Sequence, residues 1–231
     1  MELPRNARVL DLGCGQGRLT GKLGRLFAEG TVVGCDLSKG AIAQARGYEA
    51  ETPNVEFRQQ SISDCLREFD DRSIDAILLI EVTFFYPSWR DSLPRMIAML
   101  KPSGLLIVSF RSQYFDALCL AKGRCWDEVE LLLHKRAGPL FMSATEFTWQ
   151  TSREIRTLLV DELGLELLIL NGIGGCSGLP GDPHESICRP SDLTEPEQLR
   201  LMELELAVGH TVPDGGRYIL AIARKPLAPH L

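Results

Sequence analysis

The sequence predicts an α/β fold, a doubly wound and mostly parallel sheet with helices on both faces. Three observations predict it. Short apolar runs alternate with helix-length amphipathic stretches along the chain, an order that sets strands side by side in parallel and helices above and below them. The first run, Val9-Leu10-Asp11-Leu12, passes straight into the glycine turn Gly13-Cys14-Gly15-Gln16-Gly17 and then into a helix. The fourth run, from Ile74 to Ile80, is almost continuously apolar, as a central strand covered on both faces should be.

Each element follows in order. Strand one is expected near 8–13 and strand two near 31–36, ending in Asp36. Between them Leu19, Leu23, Leu26 and Phe27 fall at i, i+4, i+7 and i+8, which predicts the core-facing stripe of a helix near 18–29. Ser38 suits the N-cap of a helix near 39–50, and Asn54 to Gln59 reads as strand three. After strand four, Leu93, Ile97 and Leu100 share one helix face, with Pro94 tolerable in the first turn. Thr151-Ser152-Arg153-Glu154 fits a capping box, opening a helix that faces the core with Ile155, Leu158, Leu159 and Leu163. Strand six is expected from Leu165 to Leu170, and a second capping box, Thr194 with Glu197, opens a helix from about Pro196 to Val208.

A chain of 231 residues suits one α/β domain, 1–231, with insertions. Hydrophobic residues at 45% and charged residues at 24% are ordinary for a globular protein, so class comes from order and not from content. The net charge of −6 speaks against a nucleic-acid partner, because such binding relies on Lys and Arg neutralising phosphates. No run of eighteen apolar residues predicts a membrane span, and Met1-Glu2-Leu3-Pro4-Arg5 lacks the apolar core of a signal peptide, so a cytoplasmic location is expected. Seven cysteines without C-x-x-C spacing do not form a disulfide framework. Cys176, His184 and Cys188 group in a Gly/Pro-rich loop, but their spacing matches no common zinc pattern and no metal is expected.

The glycine turn is where a ligand belongs. Its glycines permit a sharp bend and a close approach to the backbone, and the amides of the following helix point at the crevice. The dinucleotide fingerprint G-x-G-x-x-G fails here, since its third glycine position is Arg18. The spacing Asp11-x-Gly13-x-Gly15-x-Gly17 instead resembles the first motif of the class I methyltransferases that use S-adenosylmethionine. Leu100 to Phe110, with Lys101-Pro102-Ser103-Gly104 as a helix end and turn before strand five, resembles that family's later motif. Gly216 to Lys225 resembles its closing antiparallel strand.

The resemblance implies a seven-stranded sheet of order 3-2-1-4-5-7-6 with strand seven antiparallel. It also implies S-adenosylmethionine as cofactor, held by Asp11, Gly13, Cys14, Gly15, Gly17, Asp36, Leu37, Ser61, Ile62 and Glu81. In the family the glycine turn lies under the amino acid portion. Asp36 would receive the ribose hydroxyls, as a carboxylate can accept from both. Gln60-Ser61-Ile62 stands where the family has a Gly-Asp-Ala-like triplet, so Ser61, or Asp64 in its stead, would meet the adenine amine, with the Ile62 amide beside the ring. Glu81 would contact the methionine end, its carboxylate suited to an ammonium and a sulfonium.

Two stretches exceed the minimal fold. Residues 112–150 suggest two short helices broken near Gly123, their apolar faces drawn from Phe115, Leu118, Cys119, Trp126, Val129, Leu132 and Leu133. Residues 171–215 form the second. Both emerge where ligands bind an open parallel sheet, outside the carboxyl ends of its strands, and are read as a substrate lid, with plain coverage or a homodimer contact as the alternative. Phe84, Phe85, Tyr86 and Trp89 follow Glu81 and are either partners of a sulfonium or a planar acceptor, or core. Arg111, Gln113 and Tyr114 face the same space, Arg111 either holding an anionic acceptor or forming a surface ion pair. His134 and His184 are candidate bases or surface residues, and no catalytic residue is assigned. Family members usually carry a helix before strand one that closes over the cofactor, whereas strand one begins here almost at Met1. The cover is then expected from the insertions or another protomer, unless the chain is a truncated form. The function expected is methyl transfer to a small-molecule acceptor. The alternatives are a cofactor-binding subunit completed by a partner, and a methyltransferase for protein or RNA.

Overall fold

Five strands form one half of the molecule: β1 (Arg8–Leu12), β2 (Thr31–Asp36), β3 (Val55–Gln59), β4 (Ile74–Leu79) and β5 (Leu100–Arg111). A short hairpin, β6 (Ala137–Pro139) with β7 (Glu146–Thr148), interrupts the series before β8 (Glu166–Ile173) and β9 (Tyr218–Arg224). The computed structural model describes residues 3–49 and 52–227. Its main sheet runs β3-β2-β1-β4-β5-β9-β8, with β9 antiparallel to both neighbours. Setting the hairpin aside, this is the expected order.

Side chains alternate between two apolar layers, as a strand buried on both faces requires. Leu10, Leu12, Ile77 and Leu79 enter one layer with Trp89, Leu93, Met96 and Met99 of α4 (Trp89–Met99). Val9, Ala76 and Leu78 enter the other, with Ile42 and Ala45 of α2 (Lys39–Ala45). The helices between strands begin where the sequence places caps. Ser38 accepts from the Ala41 amide at the start of α2, and Ser61 accepts from the Asp64 amide at the start of α3 (Ile62–Arg67).

Several boundaries differ from expectation for identifiable reasons. Helix α1 (Arg18–Leu26) buries Thr20, Gly21 and Gly24, leaving Leu19 and Leu26 exposed. Its small residues set it close on the sheet, so that of the expected stripe Leu23 and Phe27 pack into the core and Leu19 and Leu26 do not. Helix α2 ends at Ala45, followed by a 3-10 turn over Arg46–Tyr48, and residue 50 of the expected 39–50 span lies outside the described residues. The Lys101 to Gly104 turn is absorbed into β5 as an irregular start. Ile74 pairs with Leu100 and Ala76 with Leu105, the intervening residues bulging outward.

Because β1 to β5 and β8 point one way, the segments after β5 and β8 leave from the same sheet edge, and β9 enters from it. After β5, α5 (Gln113–Gly123) ends at the expected break, with Arg124 left-handed, and α6 (Val129–His134) follows. Leu120, Leu132, Leu140 and Trp149 make a small core there, while Trp126 and Leu133 stay exposed. The capping box at Thr151 and Glu154 opens α7 (Ser152–Arg156), which continues as a π-helical stretch over Thr157–Glu162. The second capping box opens α8 (Glu195–Thr211), which lies on β8.

Candidate functional site

Strand β1 ends in three glycines with positive φ, at 77° for Gly13, 54° for Gly15 and 77° for Gly17. Side chains rarely adopt that region. At Gly13 a Cβ would also strike Val82 at 2.4 Å, whereas at Gly15 it would meet nothing within 4 Å. Gly15 thus presents bare backbone to open space. The turn is fastened to the next strand: Gly13 and Cys14 amides donate to the Cys35 carbonyl. The Gly15 amide donates to Asp36 Oδ2 at 2.9 Å, and the Ser38 amide to Asp36 Oδ1 at 2.8 Å.

A cavity of about 310 Å3 opens at this edge, walled by the segments that follow the first four strands. Gly13, Asp36, Leu37, Ser61, Ile62 and Glu81 all line it. Gln60, Ser63, Val82, Phe85 and Tyr86 complete the wall. Six of the ten residues expected at the cofactor are therefore brought together.

Asp11, Cys14, Gly15 and Gly17 do not line that cavity. Asp11 is buried beneath the turn and accepts from the Thr20 hydroxyl at 2.6 Å, tying α1 to β1. Burial, aided by the nearby Asp36 charge and offset by the Thr20 bond, pushes its carboxyl up to about 6. Burial also pushes the Cys14 thiol up to about 12, so it is an inert neighbour and no nucleophile.

Ser61 is occupied as a helix cap: its hydroxyl accepts from the Asp64 amide and donates to Asp64 Oδ2 at 2.6 Å. Asp64 itself is exposed, pairs with Arg67 at 2.8 Å and does not reach the cavity. Glu81 is a non-glycine residue at φ 57°, its amide donating to the Ser109 hydroxyl at 2.7 Å. The strained backbone thus stands just past the end of β4, at the cavity wall.

Of the four aromatic residues after Glu81, Trp89 is core and Phe85 and Tyr86 line the cavity. Phe84 packs against Phe85, Phe147 and Tyr218. Arg111 forms an ion pair with Asp116 at 2.7 Å, Asp116 buried and Arg111 half-buried. Its guanidinium lies 4.5 Å from the Phe115 ring centre and 5.6 Å from that of Tyr218. Gln113 donates to the Leu132 carbonyl, and Tyr114 is exposed.

His134 is exposed and pairs with Glu130 at 3.1 Å. His184 is buried, with Nδ1 3.0 Å from the Gly174 carbonyl and its ring against Phe115. It lines a separate cavity of about 380 Å3 between α8 and the 172–176 segment. Neither histidine borders Glu81. Among the described residues no group of three or more His, Cys, Asp or Glu is set to hold a metal.

Arg217 and Tyr218 were not singled out by sequence reasoning, which saw only a closing strand. Both lie beside Glu81 in a further cavity. The signal available was direction, since an antiparallel strand begins at the edge where its parallel neighbours end.

Residues 9–104 match the family model described as a methyltransferase domain. Over 119 residues the chain is 34% identical to a ubiquinone biosynthesis O-methyltransferase of Xanthomonas axonopodis pv. citri, covering 51% of this chain and 48% of that protein. It is 34% identical over 106 residues to a trans-aconitate 2-methyltransferase of Variovorax paradoxus, covering 46% and 39%. The matches thus span about half or less of the length of these relatives. A solved S-adenosylmethionine-dependent methyltransferase of Methanosarcina mazei shares the fold, with TM-score 0.62 at 18% identity over 98% of this chain and 95% of that one. Residues 9–104 thus match a methyltransferase domain, and the sheet order and glycine turn are those of the Rossmann-like fold shared with S-adenosylmethionine-dependent methyltransferases.

Proposed function

We propose that the chain transfers a methyl group from S-adenosylmethionine to a small-molecule acceptor. The observation that carries this reading is the convergence of Gly13, Asp36, Leu37, Ser61, Ile62 and Glu81 on one cavity at the carboxyl ends of β1 to β4. The residues fit the cofactor's chemistry. The cavity carries carboxylates at both Asp36 and Glu81, and the bare backbone of Gly15, bonded to Asp36, admits close approach beside it. Each Asp36 oxygen accepts one amide, which leaves lone pairs for the two ribose hydroxyls. When bound, S-adenosylmethionine supplies an electrophilic methyl group on a sulfonium that leaves as a neutral thioether.

The chain's own part is to bind, orient and exclude water, since holding two reactants in line accounts for much of such an acceleration. The Ser61 hydroxyl donates to Asp64 and accepts from its amide, which leaves one lone pair to accept from the adenine amine, beside Gln60 and the Ile62 backbone. Glu81 balances a cation and, with both histidines elsewhere, is the group placed to take a proton from a hydroxyl nucleophile. The segments 112–150 and 171–215 act as the acceptor's lid over this edge. Net charge of −6 favours small acceptors over nucleic acid, and the relatives named above include methyltransferases of ubiquinone biosynthesis and of trans-aconitate.

A second reading is a subunit completed by a partner or a second copy. The exposed Leu37 and Phe85 at the cavity favour it, as an apolar rim awaiting cover. Incubation with methyl-labelled S-adenosylmethionine and a panel of small acceptors tests both. Transfer by the isolated chain supports the first reading, and cofactor binding without transfer to any acceptor supports the second.

A further inference from the structure

A second cavity, about 220 Å3, lies on the other side of Glu81, which lines both. Its remaining wall includes Ile173, Ser177, Leu179, Arg217 and Tyr218. A nucleophile held there stands next to the cavity assigned above to the cofactor, and the charges around it decide which nucleophiles it admits.

Two cations are near, and both are already paired. Arg217 is bound to Asp182, with side chains only 17% and 13% exposed. Arg111 stands behind Tyr218 and is bound to the buried Asp116. Arg111 is matched by Asp116 and Arg217 by Asp182, while the Glu81 carboxylate has no ion-pair partner among the described residues. A bound sulfonium neutralises that charge without reversing it. An anionic acceptor would face Glu81, or would have to take Arg217 from the half-buried Asp182 and leave that carboxylate with only the Leu179 and His184 amides, which is unfavourable.

The same walls suit a flat, uncharged molecule. Ile173 and Leu179 are apolar, and the Tyr218 ring is backed by Phe84 at 5.8 Å. Burial, together with the Glu81 charge, raises the Tyr218 phenol above its ordinary range, so its hydroxyl keeps its proton and can donate it. A ring hydroxyl answers both polar groups at once, donating to the Glu81 carboxylate and accepting from Tyr218.

We propose that this cavity is the acceptor site and that it selects small uncharged phenols over carboxylates, with the Arg217–Asp182 pair as the element that rejects anions. The proposal rests on the methyl-transfer reading above.

The test is calorimetry on the full chain saturated with S-adenosylhomocysteine, titrated with catechol and then with 3,4-dihydroxybenzoate, the same ring bearing a carboxylate. Catechol is expected to bind at least tenfold more tightly. Tyr218→Phe is expected to weaken catechol severalfold. Asp182→Asn, with unchanged affinity for S-adenosylhomocysteine as evidence of an intact fold, is expected to improve binding of the carboxylate. Equal or tighter binding of 3,4-dihydroxybenzoate by the natural chain, or binding of neither ring, overturns the proposal while leaving the methyl-transfer reading in place. Failure to bind S-adenosylhomocysteine overturns that reading, and this proposal with it.

Discussion

The backbone amide of Gly15 donates to Asp36 at 2.9 Å, so the last residue of β2 fastens the turn that follows β1. The turn is held in shape while its outer face stays bare, because a Cβ on Gly15 would meet no protein atom within 4 Å. Gly15→Ala should therefore cost only about 1 kcal/mol of stability, from the left-handed φ, while lowering cofactor affinity tenfold or more. Thermal melting and calorimetry on one sample separate the two effects. A variant that loses stability but keeps affinity would show the turn to be structural alone.

Asp11 sits beneath the same turn, and its carboxyl is raised to about 6 from an ordinary value of 3.8. A carboxyl raised by folding binds more protons folded than unfolded between those values. Its contribution to stability is therefore present at low pH and lost as pH rises from about 4 to 6. Asn keeps an oxygen for the Thr20 hydroxyl and removes the buried charge. Asp11→Asn is expected to stabilise the fold at pH 7 by roughly 1–3 kcal/mol and by much less at pH 4, as read from urea denaturation at the two values. A destabilised variant at pH 7 would contradict this assignment.

Much of this architecture was legible in the sequence where one physical signal dominates. β2 and β4 follow their apolar runs closely, and both capping boxes open helices at the expected residues. The failures occur where signals compete. Of the stripe expected along α1, Leu23 and Phe27 pack inward, but close packing through Thr20, Gly21 and Gly24 turns Leu19 and Leu26 out. The hairpin of β6 and β7 has three residues per strand, too short for a period to register. Ser61 reaches the cavity as expected while also capping α3, whereas Arg217 and Tyr218 become visible only once the strand direction is known.

Glu81 holds a left-handed backbone where glycine would rest without strain. Glu81→Gly should raise stability by about 1 kcal/mol and abolish methyl transfer. Glu81→Gln should leave stability unchanged and weaken binding of the cationic cofactor more than that of its neutral-sulfur product. Melting curves and paired titrations check both. Equal loss for the two ligands would mean that the charge of Glu81 does not face the sulfonium.

The Arg111–Asp116 pair gives a prediction about stability rather than chemistry. Asp116→Ala leaves a guanidinium uncompensated among Phe84, Phe115 and Tyr218 and should cost about 3–5 kcal/mol. Replacing both residues by apolar side chains of similar volume, Arg111→Met with Asp116→Leu, should restore most of it. Denaturant unfolding of the single and double variants measures the difference. A double variant as unstable as the single one would indicate that the pair is needed for a specific geometry.

The most direct test of the account is a calorimetric titration of S-adenosylmethionine into the natural chain and into Asp36→Ala. One saturable site is predicted for the natural chain, weakened at least tenfold, about 1.4 kcal/mol, in the variant. An affinity unaltered by the substitution, or a natural chain that takes up no S-adenosylmethionine, would contradict it.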